Sequence, residues 1–84
     1  MTEAEAALAI QNRRDGYLRQ ADEADESAMM YESAACADGV GHILRGKALE
    51  FCAEHLARGK RYRRMAEALT IALQYLPAME MAGE

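Results

Sequence analysis

Ala37-Asp38-Gly39-Val40-Gly41 is the stretch whose reading decides the fold. Its two glycines tolerate the positive φ with which helices commonly end. On either side the chain favours helix. Residues 2 to 36 read as a first helical half, 37 to 41 as a hinge, 42 to 76 as a second helical half, and 77 to 84 as a tail. Pro77 is the one proline and is expected to end the second helix near Tyr75 or Leu76. Thr2 followed by Glu5 forms a capping box that starts the first helix. Asn12 to Gly16 reads as a solvated part of one long helix, with a short leading helix as the alternative. Gly59, after Ala57-Arg58, is expected as a kink or a break.

The apolar spacing supports helices on both sides of the hinge. In the first half, Ala7, Ile10, Arg14, Tyr17, Ala21, Ala24, Ala28, Tyr31 and Ala35 alternate steps of three and four, the pattern of a helix facing a helix. Most of these side chains are small. In the second half, Leu44, Ala48, Phe51, His55, Arg58, Tyr62, Met65, Leu69, Ala72 and Leu76 give a fatter stripe. Folding back at the hinge sets large knobs against small residues. The fold class is therefore all-α, an antiparallel helical hairpin. Only six residues are Val, Ile or Thr, and no segment alternates as a half-buried strand does.

A hairpin of 84 residues is a single domain with a thin core. Much of its 51% hydrophobic content is alanine, beside one Phe, four Tyr and no Trp. Small scaffolds compensate with disulfides, metals or partners. Self-association into a four-helix arrangement, a homodimer, is expected here. Its core would be Tyr17, Tyr31, Leu44, Phe51, Tyr62, Met65 and Leu69. Methionines 29, 30, 65, 79 and 81 read as plastic core filler that would also suit an adaptable binding face.

The two halves carry opposite charge. Residues 1 to 37 hold eight acids and three bases, and residues 42 to 84 hold seven bases and five acids; Asp38 completes the net −4. Two blocks stand out: Asp22, Glu23, Asp25 and Glu26, and Arg58, Lys60, Arg61, Arg63 and Arg64. Fold-back brings them near each other, which favours one register. Both are also the expected partner-binding residues. The basic block with Tyr62 alternatively reads as a phosphate-binding patch of a nucleic-acid regulator, although the pI near 5.1 argues against it.

The remaining chemistry is sparse. Cys52 and His55 stand at i and i+3, a spacing two metal ligands can use. Cys36 lies roughly 13 Å along the hairpin from Cys52 at 1.5 Å per residue, too far for a disulfide. A metal-binding bundle is therefore the third reading. No catalytic constellation or phosphate loop is recognisable, and no cofactor is expected. The N-terminus lacks a signal sequence and no apolar run is long enough to span a bilayer, so a cytoplasmic protein is expected. The function expected is a small non-enzymatic interaction module, an adaptor or an inhibitor that occupies a partner protein's surface. Small acidic inhibitors, many of them phage-encoded, share this composition by analogy.

Overall fold

A computed structural model describes the backbone of residues 2 to 82 and the side chains of residues 2 to 76. Two helices, α1 (Glu3–Ala35) and α2 (His42–Ala82), form an extended antiparallel hairpin of 67 × 15 × 14 Å. α1 begins where the sequence places it. Thr2 is extended, and its Oγ1 accepts a hydrogen bond from the Glu5 N–H at 3.1 Å. Glu3 and Glu5 add negative charge at the positive end of the helix dipole. The helix then runs through Asn12 to Gly16 without a break.

The turn closes by a small set of contacts. The Cys36 N–H donates to the Glu32 carbonyl at 3.1 Å, and the Ala37 N–H to the Ala34 carbonyl at 3.3 Å. Arg45 reaches back from α2, and its Nε donates to the Ala35 carbonyl at 3.0 Å. That satisfies one of the carbonyls a helix C-terminus leaves open. Gly39 has φ +82°, the left-handed conformation that lets the chain reverse here. The Gly41 carbonyl accepts the Arg45 N–H at 2.9 Å, so α2 starts directly after it.

α2 differs from expectation at two points. Gly59 neither kinks nor breaks it, and it continues beyond Leu76, through Pro77, to Ala82. An interior proline gives up one hydrogen bond and crowds the preceding turn; α2 accommodates that loss with helix on both sides. Residues 83 and 84 of the expected tail, and the side chains of Met79 and Met81, lie outside the described residues. No helix among the described residues is long and apolar enough to cross a membrane.

The α1 seam matches its sequence pattern position by position. All nine residues from Ala7 to Ala35 in that series are buried or half-buried, with Ala21, Ala24, Ala28 and Ala35 at 5% exposure or less. On α2 the inward positions are Ala48, Cys52, His55, Gly59, Tyr62, Ala66, Leu69, Leu73 and Leu76. Half of the expected stripe is therefore displaced by one residue. Leu44, Phe51, Arg58, Met65 and Ala72 are exposed, and Cys52, Gly59, Ala66 and Leu73 take the inner places. The physical reason is separation. Beside Ala21 the helices come close enough that a Cβ on Gly59 would lie 3.5 Å from the Ala21 carbonyl, so glycine takes the inner place there, whereas His55, Tyr62, Leu69, Leu73 and Leu76 are accommodated elsewhere along the seam. Aromatic contacts fill the places where the seam widens. Tyr17 stacks on Tyr62 with ring centroids 6.0 Å apart, and Tyr31 lies 5.2 Å from Phe51 and 5.4 Å from His55.

Candidate functional site: the two flanks of the hairpin

A two-helix hairpin has two long flanks beside its seam, and here they differ. One is bridged by charge at a single point, with Leu49 and Leu56 exposed along the same α2 face at steps of seven before Arg63. Arg63 Nη2 donates to Asp25 Oδ2 and lies 3.5 Å from Asp22 Oδ1, joining α2 to two successive turns of α1. The hydrogen bond to Asp25 holds the Arg63 guanidinium above its ordinary pKa; desolvation opposes it, and the charges of Asp25 and Asp22 add to it. Gly59 makes room for this arrangement. A Cβ at position 59 would sit 2.7 Å from Asp25 Oδ1 and 3.5 Å from the Ala21 carbonyl.

The other flank is open and holds a row of cavities. Near the hinge, a cavity of about 330 Å³ is lined by Tyr31, Ala34, Val40, Leu44, Lys47, Ala48 and Phe51. An adjoining hollow of about 280 Å³ touches Ser27, Met30, Tyr31 and Ala34. Further along, Gln20, Glu23, Ala24 and Ser27 of α1 face His55, Arg58 and Tyr62 of α2 around about 290 Å³.

The expected partner-binding residues therefore divide. Asp22, Asp25 and Arg63 are occupied with one another. Glu23, Glu26, Arg58, Lys60, Arg61 and Arg64 are exposed and form no ion pair among the described residues. The expected self-association core divides as well. Tyr17, Tyr31, Tyr62 and Leu69 belong to the seam within the chain, whereas Leu44, Phe51 and Met65 stand on the open flank, 67%, 43% and 44% exposed. Met29 and Met30 are 66% and 73% exposed, so neither they nor Met65 fill the core.

Cys52 is buried in the seam and His55 stacks flat on Tyr31, with Nδ1 out of contact with solvent and without a hydrogen-bond partner. Cys36 and Cys52 are both free. Among the described residues no three of His, Cys, Asp and Glu gather as a metal site. Ser27 and His55 share a cavity, a proximity the sequence does not reveal, but no hydrogen bond joins them.

Two structural residues escape the sequence reading. Arg45 carries no signal that separates it from other surface bases. Gly59 does carry one: Cys52, Gly59 and Ala66 recur at intervals of seven, a small-residue edge that the larger neighbours at 51, 58 and 65 obscure.

No protein-family model, curated protein or solved structure matches the chain. The class its fold defines is that of two-helix antiparallel hairpins.

Proposed function

We propose that the chain is a non-enzymatic protein–protein interaction module that self-associates into a four-helix arrangement. Its unpaired charges then dock on a partner protein, as an adaptor or as an inhibitor that occupies the partner's surface. The observation that carries this reading is the apolar surface left open. Twelve large hydrophobic side chains among the described residues are exposed, and no large side chain is fully buried. A compact monomer of 9.3 kDa exposes about 5,000 Å², whereas this hairpin exposes 6495 Å². Its radius of gyration is 19.1 Å, against about 12 Å for a compact chain of this length. Covering surface of this kind is what association does for small helical scaffolds.

Light scattering of the full chain tests the association; a strict monomer at high micromolar concentration overturns it. Docking is tested by protein capture with wild type and with two charge-reversed variants, Glu26→Lys and the pair Arg61→Glu with Arg64→Glu. Loss of the captured protein with either variant supports docking through these charges. Unchanged capture by both refutes it.

A second reading rests on Arg58, Lys60, Arg61 and Arg64 of α2, which are exposed and form no ion pair among the described residues. Such a patch fits the phosphates of a nucleic acid. Salt-sensitive binding to duplex DNA at ~50 mM salt, where phosphate contacts are strong, supports it, and absence of binding there removes it.

A further inference from the structure

The open flank has a bulky edge and a small edge. On α2, Leu44, Phe51, Arg58 and Met65 follow one another at intervals of seven and so lie along one face. On α1 the same flank carries Ala34, Ser27 and Gln20 beside the seam, with Met30 and Glu23 further out. Gly16 lies on that face too, four residues before Gln20. We infer that a second copy of this chain seats on this flank, both hinges at the same end, with the bulky α2 edge of each copy lying along the small α1 edge of the other. The inference rests on the self-association proposed above and adds its surface and its orientation.

Charge selects the orientation. Glu23 and Arg58 line one cavity, so they stand at the same height on opposite helices. Neither forms an ion pair among the described residues. A two-fold axis parallel to the hairpin brings α2 of each copy over α1 of the other at equal height. Arg58 of each copy then faces Glu23 of the other, and the signs alternate around the axis. Opposed hinges, centred at this height, would instead set Glu23 on Glu23 and Arg58 on Arg58.

Shape agrees with charge. Phe51 of one copy meets the hollow beside Ser27 and Ala34 of the other. Met65 comes to the height of Gly16, since Tyr17 stacks on Tyr62. Within the hairpin a Cβ at Gly16 meets nothing within 4 Å, so nothing inside the chain requires glycine there. Met65 of the second copy supplies the close neighbour. The area is also sufficient. Two hairpins carry a surplus of about 3,000 Å² over compact chains of their mass, within the range obligate homodimers bury.

The test uses the full chain and two single variants, Glu23→Arg and Arg58→Glu, followed by sedimentation and circular dichroism. Each variant alone sets like charges against each other twice in the dimer and is expected to associate roughly 100-fold more weakly than wild type. An equimolar mixture makes complementary heterodimers and is expected to recover wild-type association. Where a variant loses helix content alone, recovery of that content on mixing is the readout. Single variants that dimerise like wild type, or a mixture that stays dissociated, overturn this seam and leave self-association standing. A monomeric wild type defeats self-association itself.

Discussion

Gly59 is the place where the hairpin's closeness can be measured. In an open helix interior, replacing glycine by alanine stabilises by about 1 kcal/mol. Gly46 offers that control: it is exposed, and an added Cβ there meets nothing within 4 Å. Gly46→Ala is therefore expected to gain about 1 kcal/mol. Gly59→Ala carries the same helix preference, but its Cβ falls 2.7 Å from Asp25 Oδ1. Asp25 must turn aside and release Arg63, an exposed pair of small worth, so Gly59→Ala should gain less than Gly46→Ala in dilute buffer. Gly59→Leu pushes further atoms toward the Ala21 carbonyl, which is backbone and moves only if α1 moves. Overpacking of this kind costs about 1–3 kcal/mol. Less the helix preference regained on replacing glycine, a net loss of about 1 kcal/mol lowers the melting temperature of a domain this size by roughly 4–8 °C. Thermal unfolding followed by circular dichroism is the assay, at one fixed protein concentration because association shifts the midpoint. The reasoning is refuted if Gly59→Leu melts at or above wild type, or if Gly59→Ala gains as much as Gly46→Ala.

Two further outcomes check the seam and the bridged flank. A double-mutant cycle on Tyr17→Leu and Tyr62→Leu should give a coupling of about 0.5–1.5 kcal/mol, the usual worth of a stacked aromatic pair beyond its area; chemical denaturation of the four proteins measures it. Arg63→Ala should lower stability slightly in dilute buffer and not at all in strong salt, because the pair it removes is exposed and screened. Its pH dependence follows from sign. The folded state raises the Arg63 pKa, so its contribution is complete below the ordinary guanidinium value and fades only as pH rises through the raised one. Wild type and Arg63→Ala should therefore differ by a constant amount between neutral and moderately alkaline pH in denaturant titrations.

The α1 seam was legible because its residues have one consistent reading. Alanine and tyrosine recur at helical spacing, whereas the face that holds the larger Leu8, Leu18 and Met29 is interrupted by Asp15, Asp22 and Asp25. On α2 the competition is real. Phe51 and Met65 outrank Cys52 and Ala66 in hydrophobicity, so a pattern weighted by apolar size draws the stripe through 51, 58 and 65. Arg58 in that series is the sign of trouble, since a buried seam has no partner for it, whereas Gly59 beside it costs nothing to bury. What decides between the two edges is the partner surface. The close approach beside Ala21 admits Gly59 where Arg58 would not fit, and that information lies in the other half of the chain. The Asp25–Arg63 bridge was hidden for the same reason, because it depends on which side of the seam each charge falls. The displaced stripe still has a physical consequence. Leu44, Phe51 and Met65 fall beside the seam rather than in it, and they are too apolar for open water. They are exposed together on one flank, opposite the flank that Arg63 bridges. That exposed edge is where the proposed second copy finds its contact.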